Sequence, residues 1–187
     1  MVTNNTKQNL INQTRQMIDS TGLDSVSLRE LGKVMGLSRS AVYRYFKSKE
    51  ALLAMIALED IKFLYETFDL LIQKANNPKK AFHDMVYQLY EFGVNHHDRY
   101  SLIFHKKWEG EEYQEFHSIA FQLYGVIQTS IEKYQSSSTK TSLELTAITS
   151  AFTVGLIELN HSGHLEQKKG LDSQITLLES FIELLFK

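Results

Sequence analysis

The stretch from Ser27 to Glu50, SLRELGKVMGLSRSAVYRYFKSKE, constrains this chain more than any other. Ser27 with Glu30 three places later is a capping box, in which a hydroxyl and a carboxylate satisfy the free N–H groups of a helix start. Leu28, Leu31 and Met35 give that helix one apolar stripe, and Gly36 stops it. Leu37 dips back into the core, and Ser38 can cap a second helix from about Arg39 to Phe46. The pattern is a helix-turn-helix that hands straight on to a third helix.

The second helix has two faces. Ala41, Val42, Tyr45 and Phe46 fall on one side, and Arg39, Ser40, Tyr43 and Arg44 on the other. Two arginines, a hydroxyl and a phenol on an exposed face suit a DNA major groove, where Arg donates two hydrogen bonds to guanine O6 and N7. Lys47, Ser48 and Lys49 then place positive charge and free backbone N–H groups at another helix start, an arrangement that holds phosphate.

The run from Gly36 to Leu53, GLSRSAVYRYFKSKEALL, resembles the TetR/AcrR family of transcriptional regulators through Gly36, Ser38, Tyr43, Tyr45, Phe46, Ser48, Lys49, Glu50 and Leu52. Ser40 and Ala41 stand where that family usually has Gly and Thr. With this resemblance, Arg29, Arg39, Ser40, Ala41 and Arg44 are expected at base edges, and Ser27, Ser38, Tyr43, Tyr45, Lys47 and Lys49 at phosphates. It also implies an all-α fold: a three-helix DNA-binding domain over residues 1–48 and a helical ligand-binding and dimerisation domain over residues 49–187, about nine helices in all.

Composition agrees. One proline and nine glycines in 187 residues leave long uninterrupted stretches, and 43% apolar with 22% charged residues describes an ordinary soluble chain. No cysteine is present, so disulfides and thiolate metal sites are excluded. No uninterrupted apolar run of membrane-spanning length and no signal-peptide core follows Met1, so the expectation is a cytoplasmic protein with no membrane partner. Residues 1–50 hold eight basic and four acidic side chains, net +4, whereas residues 51–187 hold twelve and eighteen, net −6. The basic end is the end with the reading helix.

Ahead of the motif, Met1 to Thr6 reads as a polar tail, and a helix from about Thr6 to Thr21 puts Leu10, Ile11, Thr14, Met17 and Ile18 on one stripe. Beyond it, a long helix from Ser48 to about Ala75 links the two domains. Asn77 and Pro78 then open a periodic helix that ends near Asn95. A turn at His96, His97 and Asp98 leads to a short helix from Arg99 to about Lys106, and a long one follows from about Glu111 to Gln135. Ser136 to Thr139 is a linker-like tract.

The last two helices, about Thr141–Asn160 and Asp172–Phe186, differ from the rest. In the first, Leu145, Ile148, Phe152, Leu156 and Leu159 line one side, while Ala147, Ala151, Val154 and Gly155 line another. A helix apolar on two sides must be buried on two sides. Ala147, Ala151, Val154 and Gly155, with Ile175, Leu178 and Ile182 of the last helix, are therefore expected at a homodimer interface, a four-helix bundle shared by two protomers. The family resemblance implies the same use of the last two helices. A fainter resemblance links the carboxy-terminal half to effector domains of the W-H-G type, through Tyr90, Phe92, Tyr100, Leu102 and Phe104, then Gly155, Leu156, Glu158, Leu159 and Gly163. Val154 stands in place of the signature His, and the signature Trp is missing.

Tyr65, Phe68, Tyr87, Tyr90, Phe104, Trp108, Tyr113, Phe116, Tyr124 and Phe152 supply aromatic surface suited to an apolar effector pocket with a few polar anchors, core packing being the plain alternative for each. His161 and His164 lie three apart, and His96, His97 and Asp98 sit together, but a metal would need further ligands, and no metal is expected. No G-x-S-x-G, H-E-x-x-H or Walker loop occurs, so no enzyme, catalytic residue or cofactor is expected. The reading is a dimeric repressor on double-stranded DNA with a near-palindromic operator, released by a small apolar or aromatic effector. The alternative is a DNA-binding adaptor or activator that answers to a protein partner.

Overall fold

The computed structural model describes residues 2–134, 140–165 and 173–185, the first three by backbone alone; among them are nine α-helices and no strand. They are α1 (Val2–Thr21), α2 (Leu28–Val34), α3 (Arg39–Tyr43), α4 (Lys49–Gln73), α5 (Pro78–Asn95), α6 (His97–Phe104), α7 (Gln114–Tyr134), α8 (Ser142–His161) and α9 (Gln174–Leu185). The tract from Ser136 to Thr139 lies outside the described residues. Compactness divides the chain into Met1–Ile61 with Asp98–Phe116, and Lys62–His97 with His117–Lys187. By this division the first half of α4 and residues 98–116 fall in the same unit as the reading head.

In the first unit, α1 buries Leu10, Ile11, Thr14 and Ile18, and the Thr14 hydroxyl, fully buried, donates to the Leu10 carbonyl at 2.7 Å. The helix already runs from Val2, so most of the expected polar tail is its first turn. Gly22 ends it with a φ of 84°, a conformation that favours glycine. Ser27 caps α2 by accepting from the Glu30 N–H at 3.1 Å, but the Glu30 carboxylate pairs with Lys33 at 2.9 Å, so only half of the expected capping box is made. Gly36 turns the chain with a φ of 65°, and Ser38 caps α3 through the Ala41 N–H at 3.2 Å. Trp108, buried, donates its indole N–H to the Leu102 carbonyl at 2.7 Å and so fixes the loop between α6 and α7.

In the second unit, Asn77 caps α5 through the Lys80 N–H at 3.1 Å, with Pro78 in the first helical position as expected. The helix buries Phe82, Met85, Val86, Leu89, Tyr90, Phe92 and Gly93. Gly93 permits the closest approach to α8, because a Cβ there would lie 2.5 Å from Ile157 Cδ1. On α8 itself the buried side is Leu145, Thr146, Thr149, Thr153, Leu156 and Ile157. Its threonines tolerate burial because their hydroxyls donate to carbonyls one turn back: Thr146 to Ser142, Thr149 to Leu145 and Thr153 to Thr149, at 2.7–2.8 Å. Ile148 and Leu159, expected on the buried side, are exposed instead. By length and composition α8 could cross a membrane, with a mean hydropathy of 1.3 over its most apolar window. In this fold the same composition leaves it one buried face and one bare apolar face.

Candidate nucleic-acid interface and effector region

The short helix α3 separates its two faces cleanly. Val42 and Phe46 are buried, which leaves Arg39, Ser40, Tyr43 and Arg44 exposed on the opposite side. The Arg39 guanidinium lies 5.2 Å over the Tyr43 ring, and the Ser38 and Ser40 hydroxyls are 3.1 Å apart. Ser38, Arg39, Ser40 and Tyr43 line an open concavity of about 580 Å³. The arrangement offers hydrogen-bond donors and a guanidinium over an aromatic ring, groups of the kind that read base edges and grip phosphates.

The other residues assigned to DNA are placed less uniformly. Arg29, Lys47 and Ser27 are exposed, with the Ser27 hydroxyl engaged in its cap. Ala41 and Tyr45 are half-buried. Lys49 turns inward: its ammonium donates to the Leu23 carbonyl at 2.7 Å, tying the first turn of α4 to the end of α1. Lys7, on α1, lies 5.9 Å over the ring of Phe46, so a cation near the start of the chain stands just beyond the reading helix. Periodicity along one helix carries no signal for such a contact between helices.

The ten aromatics divide between the two units. Phe104, Trp108, Tyr113 and Phe116 belong to the first unit, whereas Tyr65, Phe68, Tyr87, Tyr90, Tyr124 and Phe152 belong to the second. Within the second unit, Phe68 lines a small cavity of about 10 Å³ with Met85, Val86, Leu89, Ile127, Thr149, Ser150 and Thr153. Tyr90 accepts from the Asn160 side-chain amide at 3.1 Å. Burial holds its phenol above the usual value, while that hydrogen bond pulls it part of the way back. Phe152 stacks on Phe181 with ring centroids 3.9 Å apart.

A space larger than the one beside Phe68 lies in the first unit. A groove of about 490 Å³ is lined by Ser48 just before α4 and Glu50, Ala51, Ala54, Met55 and Leu58 on it, and by Glu112 and Tyr113 just before α7 and Glu115 and Phe116 in its first turn. Trp108 backs it, with its ring centroid 5.3 Å from Tyr113 and 6.3 Å from Phe116.

Of the residues expected between protomers, Ala147, Ala151 and Ile175 are exposed, and Val154 and Gly155 are half-buried. Leu178 and Ile182 are withdrawn from that surface: they are 0% and 2% exposed within the protomer, so nothing of them remains to cover a partner. Ile148, Leu159 and Leu184 are bare instead.

The histidines meet in a pairing that their spacing does not suggest. His97 stacks on His161 with centroids 3.4 Å apart and rings 4° from parallel, and His97 Nε2 lies 3.2 Å from Glu158 Oε1. Parallel rings point their nitrogens side by side rather than toward a common centre, and among the described residues no group of three metal-ligating side chains converges.

Residues 10–56 match the model of bacterial regulatory proteins of the tetR family. An uncharacterized HTH-type transcriptional regulator of Bacillus subtilis (strain 168), YuxN, is 33% identical over 101 residues, 51% of this chain and 33% of the relative. The match thus spans a third of that protein's length. A solved protein from Saccharomonospora viridis in complex with choline superposes with a TM-score of 0.76 at 16% identity, covering 96% of each chain. The TetR-family regulator PfmR of Thermus thermophilus does so with a TM-score of 0.65 at 13% identity, covering 96% of this chain and 94% of its own. At such identities the likeness is one of fold.

Proposed function

We propose that this chain is a transcriptional regulator of the TetR family, a homodimeric, cytoplasmic repressor that binds a near-palindromic operator in double-stranded DNA and is released by a small-molecule effector. The observation that carries the reading is the bare face of α3, with Arg39, Ser40, Tyr43 and Arg44 exposed over a buried Val42 and Phe46. Arg39, Ser40 and Arg44 read bases, while Ser38, Tyr43 and Lys47 hold phosphates. The apolar surface of α8 and α9, with Ile148, Leu159, Ile175 and Leu184 between 39% and 69% exposed, supports a twofold contact between protomers. Two reading helices one DNA turn apart then demand two half-sites. The choline-bound fold relative supports a small organic molecule as effector. An effector that shifts α4 changes the separation of the reading helices and so lowers operator affinity.

Binding to a random duplex library, with selection and sequencing at two salt concentrations, tests this. An enriched near-palindrome with steep salt dependence is expected, and no enrichment at either salt would overturn it. A second reading, an adaptor or activator that answers to a protein partner, is favoured by Phe121 and Phe63, 80% and 62% exposed on the second unit. A protein partner that covers them would quench their exposure without any small molecule.

A further inference from the structure

The groove between the first half of α4 and the start of α7 combines three features that none of its residues shows alone. Its volume, about 490 Å³, falls in the range of small-molecule sites, about 300–1,000 Å³. Ala51, Ala54, Met55, Leu58 and Phe116 make its floor and walls apolar, and Phe116 is 8% exposed. Glu50, Glu112 and Glu115 add three carboxylates to the same lining, with no cationic side chain among the lining residues; the Lys106 ammonium pairs with Glu50 at 3.1 Å. The net charge around an apolar cavity is therefore negative. Tyr113, on the wall, feels it: burial and then the Glu50 and Glu112 carboxylates hold its phenol above the usual value.

The chain already uses the matching chemistry at this spot. Lys106 lies 4.4 Å over the ring of Trp108, whose indole backs Tyr113 and Phe116. A positive group over an aromatic face is attracted to the ring's negative quadrupole, and more strongly where carboxylates stand close and water is thinned by apolar walls. An anion would meet the carboxylates, and a hydrophilic cation would gain nothing from Met55, Leu58 and Phe116.

We infer that this groove is a binding site for a hydrophobic organic cation, a molecule with an ammonium or comparable positive centre on an apolar or aromatic body. Resting on the regulatory reading above, this names the class of its effector and places it against the first turns of α4 rather than beside Phe68 in the second unit. An occupant touches Ser48, Glu50 and Ala51, which follow the reading helix directly in the chain.

Trp108 is the sole tryptophan, so intrinsic fluorescence reports on this groove. The full-length protein is titrated with tetraphenylphosphonium and, separately, with tetraphenylborate, which has nearly the same shape and the opposite charge. A saturable change with the cation alone is expected, weakened about tenfold or more in the Glu112→Gln/Glu115→Gln variant, whose changes are on exposed side chains. No saturable change with the cation, equal binding of the anion, or undiminished binding by the variant would overturn the site. The library selection, run without the cation, keeps the two readings apart: a protein that selects an operator but shows none of the expected cation binding remains a regulator and loses this site.

Discussion

Arg99 grips the buried carboxylate of Asp60 with two nitrogens, Nε on Oδ2 and a terminal guanidinium nitrogen on Oδ1, each at 2.8 Å. The same carboxylate accepts from Arg15 Nε at 3.0 Å, and Arg99 also reaches Asp19 at 3.0 Å. One buried acid thus fastens α1, α4 and α6 together within the first unit. Asp60→Ala removes the buried carboxylate that the two guanidiniums share, with Arg15 keeping Glu59 and Arg99 keeping Asp19, and is expected to cost about 3–5 kcal/mol, read by urea denaturation. A loss under about 1 kcal/mol would show that solvent replaces the carboxylate readily.

Gly93 tests the packing of α5 on α8. A methyl group there meets three atoms of the buried Ile157 within 2.9 Å, so Gly93→Ala is expected to destabilise by about 1–3 kcal/mol. Ile157→Val in the same chain should recover part of the loss, and a double-mutant cycle on thermal or urea unfolding measures that coupling.

Arg44 and Lys49 should part company. Arg44 is exposed on the reading face, so Arg44→Ala is expected to weaken the selected operator by about 1–3 kcal/mol, relax preference at one base pair and leave folding alone. Lys49 holds the Leu23 carbonyl, so Lys49→Ala should cost about 1.5–3 kcal/mol of stability, seen as a lower melting temperature, and leave base preference unchanged. Fluorescence anisotropy with labelled duplexes and thermal unfolding separate the two.

Ala151 lies exposed on the bare side of α8, where a charge does not disturb the protomer. Ala151→Glu is expected to give a folded monomer in sedimentation velocity, with operator binding reduced to that of a single half-site. A variant that stays dimeric would move the interface away from α8.

The start of α8 carries a pH dependence with a definite sign. Hydrogen bonds from the Thr141 N–H and hydroxyl, both at 2.8 Å, hold the Glu144 carboxyl below its usual value. Its contribution is complete above the unfolded carboxyl's pKa and is lost as pH falls through the lower native value. Amide exchange in the first turn of α8 should therefore quicken in acid, and Glu144→Gln should remove that dependence.

Much of this was legible in local pattern. The α3 faces, the Ser38 cap of α3 and the Asn77–Pro78 start of α5 each depend on residues within one or two helical turns. The aromatic set was not, because aromaticity states only that a side chain seeks apolar contact, not which unit supplies it. The α8 threonines were missed as core for a related reason: their hydroxyls are satisfied by their own helix, so a polar side chain behaves as a buried one.

By itself the sequence determined the all-helical fold, the helix-turn-helix and the division of α3 into a packed and a bare face, since these follow from propensity, capping and a 3.6-residue period. Only tertiary structure decided that Leu178 and Ile182 are core, that Lys49 turns inward, that Asp60 serves two arginines and that Glu50, Glu112 and Glu115 share a groove with Phe116. These depend on which elements meet across long separations in the chain, and that is settled by the joint packing of many apolar faces rather than by any one segment.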